Sequence, residues 1–222
     1  MKERKTKGIH FFTPAVCFLI LFILYTVSLM SFDRRPIGPQ NSPVGFAAIN
    51  APIHELLGVN MRLYYITDWL SLVPVVIVMG FGLLGMVQLV KRRSILRVDR
   101  SILILGGFYL LVFCAYLFFE FYVVNHRPIL INGVLEASYP SSTTMLAMCI
   151  MPAAMMQFHS LIQNQAVRKG INILCGFYTA FMVIGRLLSG VHWFTDIMGG
   201  MILSAALVML YHGTIQLSAS KS

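Results

Sequence analysis

The sequence predicts an all-α protein, a six-helix transmembrane bundle that forms one domain over residues 1–222. Composition is the first reason. Hydrophobic residues make up 58% of the chain, charged residues only 11%, and the mean hydropathy is +0.78. A soluble domain of this size does not need so much apolar surface. The second reason is distribution: six apolar runs, each close to the length that crosses a bilayer, alternate with short polar segments. The net charge of +9 raises nucleic acid as a partner, but the basic residues cluster between apolar runs, as the positive-inside rule requires. No nucleic-acid partner is expected; the surroundings are membrane lipids.

The elements follow in order. Met1 to Lys7 is basic (Lys2, Arg4, Lys5, Lys7) and leads into a first span at about 11–30. Its apolar part is long and no small-x-small cleavage site follows, so it reads as a retained span and not as a signal peptide. Ser31 to Trp69 is mixed and punctuated by Pro36, Pro39, Pro43 and Pro52. Its second half, from His54 to Leu70, has two readings. One is a helix in the interface with Tyr64, Tyr65 and Trp69 at headgroup level; the other is an ordered loop capping the bundle. The second span is expected at 70–90, followed by Lys91, Arg92, Arg93, Arg97 and Arg100 in a cytoplasmic loop. The remaining spans are expected at 101–124, 141–158, 170–188 and 192–212, with a polar connection from Asn125 to Tyr139.

Threading these spans from an inside N-terminus leaves twelve basic residues on the inner side and five on the outer. The asymmetry predicts both termini, including Lys221 in the tail, in the cytoplasm and the His192 region on the extracytoplasmic face. A multi-pass protein this short and simple is expected in a bacterial cytoplasmic membrane. The four cysteines all fall within apolar runs without paired spacing, so neither a disulfide framework nor a metal site is indicated.

The chemistry concentrates in Gly185 to Gly200, G-R-L-L-S-G-V-H-W-F-T-D-I-M-G-G. His192 and Asp196 are four apart and would share one face of a helix. A carboxylate beside an imidazole fixes its tautomer and stabilises the charge formed when the other nitrogen attacks. Arg186 supplies a planar, permanently charged fork suited to phosphate oxygens. The set reads as nucleophile, orienter and anion clamp for phosphoryl transfer. The plainer readings are a structural polar pair, or two members of a metal site lacking the rest.

Two further segments fall on the same predicted face. Asn125-His126-Arg127-Pro128 follows the third span, and Tyr139-Pro140-Ser141-Ser142-Thr143-Thr144 opens the fourth. Ser141, Ser142 and Thr143 at a helix start offer hydroxyls and free N–H groups, an anion cradle strengthened by the helix dipole. Taken alone, that stretch is a plain N-cap and His126-Arg127 an interfacial anchor. Three such segments on one face make a single phosphate site the more economical account.

The sequence resembles the type 2 phosphatidic acid phosphatase family of membrane lipid phosphatases. The family pattern is K-x6-R-P, then P-S-G-H, then S-R-x5-H-x3-D. Arg186, His192 and Asp196 match the third part, with Gly185 in place of its serine. Arg127-Pro128 matches the end of the first, with Glu120 where the lysine belongs; Pro140-Ser141 opens the second, with Ser142 and Thr143 in place of glycine and histidine. The resemblance implies that His192 forms a phosphohistidine, that Asp196 orients it, and that Arg127, Arg186 and Ser141 bind phosphate without a metal or cofactor. In the family the second-motif histidine protonates the leaving group. With Thr143 there, the protein is expected either to favour a lipid pyrophosphate or to use His126 as the acid.

The expected substrate is a lipid phosphate or pyrophosphate, such as a polyprenyl carrier, phosphatidic acid or phosphatidylglycerol phosphate. The alternatives are a lipid phosphotransferase and a non-catalytic relative that binds lipid phosphates in an accessory or transport role.

Overall fold

A computed structural model describes residues 2–219, with side chains for residues 10–219; the tail with Lys221, Met1 and the side chains of the basic N-terminal arm lie outside the described residues. The chain forms α1 (Lys2–Ser31), α2 (Ala47–Leu57), α3 (Met61–Leu70), α4 (Leu72–Arg92), α5 (Arg100–Phe121), α6 (Ser142–Leu161), α7 (Gln165–Leu188) and α8 (Phe194–Ala219). Among the described residues, six helical spans are long and apolar enough to cross a membrane. They are His10–Ser31, the 32-residue Met61–Arg92, Arg100–Phe121, Ser142–Leu161, Gln165–Leu188 and Phe194–Ala219. Apart from short β-bridges in the loops, the described residues are helical or irregular.

The second span begins at Met61, nine residues before the apolar run that predicts it. Asn60 starts it, its side-chain oxygen accepting from Leu63 N at 3.1 Å. That is an N-cap worth about 1 kcal/mol. Ser71, at the α3–α4 junction, keeps helical dihedrals, and its N–H donates to Thr67 O at 3.0 Å. The charges that interrupt the apolar run, Arg62 and Asp68, therefore lie on a continuing helix. Of the stretch read as an interfacial helix or a capping loop, its first residues finish α2, and Met61 onward is the head of a span.

α1 and α8 run antiparallel. Phe11 packs against His212 with ring centroids 4.1 Å apart, while Tyr25 near the other end donates to Thr195 O at 3.2 Å. The start of α1 and the end of α8 thus lie at one end of the bundle, and the loops holding Arg127, Ser141 and His192 lie at the other. α6 and α8 form the enclosed centre, with Ala147, Cys149, Ala153, Ala154 and Ser204 almost wholly buried. Small side chains of this kind let helix backbones approach closely where lipid gives no hydrophobic drive to association. The outer faces of α1, α4, α5 and α7 expose large apolar side chains such as Leu24, Val76, Leu110 and Phe177, as contact with lipid tails demands.

The polar connection between α5 and α6 is an ordered hairpin. Asn132 and Gly133 both have positive φ (50° and 78°), the conformation of a tight type I′ turn, and Ile131 pairs with Val134 across it. Further out, His126 pairs with Ala137, Arg127 N donates to Glu136 O at 3.0 Å, and Ser138 N donates to Asn125 O at 3.0 Å. This frame fixes the backbone on either side of Arg127.

Candidate active site

His192 stands in the short loop between α7 and α8, two residues before the first residue of α8, and is almost completely buried. The loop is set by Gly190, whose φ is +67°; a Cβ there would come within 1.9 Å of Gly58 O. Only glycine allows both the left-handed turn and the contact with the α2–α3 junction. Asn60 N donating to Ser189 O at 3.0 Å ties the same two segments together.

The imidazole is oriented first by a backbone carbonyl. His192 Nδ1 lies 3.1 Å from Ser138 O, whereas Asp196 Oδ2 is 3.7 Å away, beyond hydrogen-bond length. A carbonyl only accepts, so Nδ1 carries the proton and Nε2 keeps its lone pair. Burial, then the positive charges of Arg127 and Arg186, hold the His192 pKa well below its ordinary 6.5. The ring is accordingly neutral and Nε2 is available as a nucleophile.

Asp196 is buried beneath the ring. Oδ2 accepts from Trp193 N at 2.9 Å, and Oδ1 accepts from the Asn125 side chain at 3.3 Å. Its backbone carbonyl accepts from Ser141 N at 3.0 Å. Asp196 thus caps the start of α8, ties α6 to it, and leaves its carboxyl close to the imidazole. Asn50 holds the preceding residue in place, with Nδ2 donating to Thr195 Oγ1 at 2.9 Å and Oδ1 accepting from Thr195 N at 3.2 Å.

Arg127 reaches the His192 ring directly. Its Nη1 lies 3.3 Å from His192 Nε2 and 3.5 Å from Val191 O, and its Nε makes an ion pair with Glu136 Oε2 at 2.9 Å. Arg186 is more deeply buried. Nη1 donates to Thr67 Oγ1 at 3.2 Å and Tyr64 O at 3.4 Å, Nη2 is 3.6 Å from Asp68, and the guanidinium stacks over the Tyr64 ring at 4.9 Å. The Gly185 departure has a steric cause. A Cβ there would stand 2.8 Å from Thr67 Cγ2, the residue that Arg186 needs close by.

Ser141 caps α6, its hydroxyl oxygen 3.5 Å from Thr144 N, and leaves its own O–H proton free to donate. Two cavities meet at Arg127, Ser142 and Tyr116. The smaller, about 220 Å³, is lined also by His192, Ser138, Glu120 and Glu136. The larger, about 470 Å³, has Arg127, Arg186, Ser142 and Thr143 among its walls, with Val75, Val78, Val112, Phe113 and Leu146 from α4, α5 and α6.

The structure therefore brings His192, Asp196, Arg127, Arg186, Ser141, Ser142 and Thr143 together at one end of the bundle. It does not bring the His126 ring with them. That side chain is absent from the cavity wall, is half-buried near Arg34, and joins the site only through its carbonyl, which accepts from Trp193 Nε1 at 2.7 Å. Burial and the Arg34 charge both lower its pKa. Glu136, Ser138, Asn125 and Asn50 are members of the site that motif spacing does not announce. Asn132-Gly133 was the available signal, since a hairpin there folds Glu136 and Ser138 back beside Arg127. Among the described residues no group of three or more His, Cys, Asp or Glu side chains offers a metal site.

A buried histidine, two arginines and a helix start thus border two adjoining cavities at one end of a helical membrane bundle, with Arg127 common to both. A family model described as the PAP2 superfamily matches residues 102–218, and the chain belongs to that superfamily. The fold is similar to the crystal structure of the first transmembrane PAP2 type phosphatidylglycerolphosphate phosphatase from Bacillus subtilis. The two share 18% sequence identity and a TM-score of 0.60, over 90% of this chain and 95% of that one. No curated protein matches the sequence.

Proposed function

We propose that this protein is a lipid phosphatase that removes a terminal phosphate from a membrane lipid phosphate or pyrophosphate through a phosphohistidine on His192. One observation carries the reading: Arg127 borders both cavities and contacts the free nitrogen of His192. A phosphoryl group bound there meets the nucleophile, while the larger cavity takes the apolar chain of the lipid. Arg186, the Ser141 hydroxyl and the first-turn N–H groups of α6 surround the same phosphate and stabilise the charge that develops on it. Asp196 offsets the positive charge that His192 gains on attack.

The site faces the extracytoplasmic side, with Lys91–Arg100 and both termini in the cytoplasm. The basic loop after α4, the start of α1 and the end of α8 share one end of the bundle, and the segments joined to that end carry the larger basic count. Phosphate release from a panel of lipid phosphates and pyrophosphates in detergent, with and without vanadate, tests the function. Release that vanadate inhibits and that His192→Ala abolishes is expected. Tight binding of lipid phosphates with no release would instead assign the non-catalytic role.

A further inference from the structure

We propose that Glu136 is the proton donor to the leaving group, in the place of the histidine that this chain lacks; the proposal rests on the phosphatase reading above. An alkoxide is a poor leaving group from phosphorus unless it is protonated. Thr143, at the motif position of that histidine, lines the larger cavity and has no acidic proton to give near neutral pH. His126, the nearest substitute in sequence, does not line the cavity that holds His192.

Glu136 does line it, and it shares one guanidinium with the nucleophile. Arg127 Nε pairs with Glu136 Oε2 at 2.9 Å, while Nη1 of the same group lies 3.3 Å from His192 Nε2. A phosphoryl group on Arg127 therefore meets the imidazole at one edge of the guanidinium and the carboxyl at another. The placement is set by the backbone, because Arg127 N donates to Glu136 O at 3.0 Å. The Glu136 side chain is 39% exposed, which gives it water from which to recover a proton. Glu120 borders the same cavity from the end of α5 but makes no ion pair with Arg127.

An incoming phosphate takes over part of Arg127, and the Glu136 carboxyl that pairs with the same guanidinium then stands beside the leaving-group oxygen. His192 Nε2 then attacks phosphorus, an N–P bond forms, and the P–O bond to the lipid breaks with its electron pair on oxygen. The Glu136 proton passes to that oxygen and releases the lipid alcohol. In the second half the Glu136 carboxylate takes a proton from water as the water oxygen attacks phosphorus. The N–P bond breaks, its pair returns to Nε2, and phosphate leaves with the proton restored to Glu136.

The charged and titratable groups around Glu136 are Arg127, Glu120, His192, Tyr116 and Tyr139 at its cavity, with Arg186 and Tyr64 within reach of its charge. Because a pH profile would mix these, leaving-group chemistry is the better readout. The full-length protein in detergent is given a lipid phosphate monoester and, separately, 4-nitrophenyl phosphate, whose phenolate departs without a proton. For Glu136→Gln, phosphoenzyme formation from the lipid monoester should fall by roughly 10²–10⁴-fold. Formation from the nitrophenyl ester should stay within a few-fold of wild type, and the phosphohistidine should then accumulate for want of a base. Glu120→Gln should not change the ratio between the two substrates.

Equal loss on both substrates would mean that Glu136 only positions Arg127, and would overturn the proposal. So would a selective loss in Glu120→Gln with none in Glu136→Gln. If Glu136→Gln does not fold, Glu136→Asp carries the test, with the monoester again losing at least several-fold more than the aryl ester. A wild-type protein that forms no phosphoenzyme from either substrate would refute the phosphatase reading itself. Normal wild-type turnover with an unaltered substrate ratio in both Glu136 variants would refute the proton role alone.

Discussion

Arg127 Nη1 stands 3.3 Å from His192 Nε2, so the guanidinium rests against the nitrogen lone pair that the proposed reaction uses. A phosphoryl group has to enter between them, exchanging an arginine–imidazole contact for an arginine–phosphate one. The stronger, charge-assisted contact favours the exchange. If His192 is the nucleophile, His192→Ala should abolish turnover while leaving a folded protein. Quenching the wild type with a labelled substrate should trap an acid-labile, base-stable phosphoenzyme, and wild-type-like turnover in His192→Ala would dismiss the mechanism.

Asp196 meets the His192 ring differently from Ser138. Because the Ser138 carbonyl already holds the Nδ1 proton, Asp196→Asn should preserve the tautomer and remove chiefly the counter-charge to the imidazolium. Turnover is expected to fall on the order of a hundredfold, in kcat more than in KM. A larger effect on KM than on kcat would show that Asp196 acts on phosphate binding instead.

His192 also imposes a pH dependence on stability. Its folded pKa is depressed below 6.5, so between that depressed value and about 6.5 the unfolded chain binds more protons than the folded one. Stability from this group is fully present above about pH 6.5 and declines as the pH falls through that window. Melting temperature in detergent should drop between about pH 7 and about pH 5. His192→Gln should flatten the drop, and an unchanged slope in that variant would remove His192 as its source.

Two glycines with positive φ separate backbone strain from steric fit. Gly190 has Gly58 O 1.9 Å from the place of a Cβ, whereas at Gly133 that place is open. Each alanine substitution should cost about 1–3 kcal/mol in backbone strain. Only Gly190→Ala should also push the His192 loop from its seat and abolish turnover. Comparable activity in the two variants would show that the loop tolerates displacement.

Membrane orientation is open to chemical labelling. In a background without the native cysteines, Val134→Cys at the exposed hairpin should react with an impermeant thiol reagent added from outside. Gln165→Cys, at the exposed start of α7, should not. The opposite pattern would invert the topology.

The six spans were legible because bilayer-crossing helices need long apolar runs, which no distant contact has to create. The start of the second span was hidden by Arg62 and Asp68. In the fold Asp68 faces Arg186, and Arg186 stacks on Tyr64, so a polar stripe that breaks the hydropathy run binds two spans together. At the site, residue identities read well and local geometry less so. Spacing of four placed His192 and Asp196 on one helix, but Asp196 accepts from Trp193 N and starts α8 only after His192. Glu136 was invisible to spacing because its partner lies across a hairpin, in register set by Asn132-Gly133.

The larger cavity is rimmed by Val75, Met79 and Phe113, apolar side chains exposed on the flanks of α4 and α5. A ligand that enters there arrives by diffusion in two dimensions, within the leaflet, and never as a monomer dissolved in water. The velocity of the proposed reaction would then follow the mole fraction of lipid phosphate in the bilayer or micelle, so that diluting a fixed amount of substrate with inert lipid would slow it even when the molar concentration is unchanged.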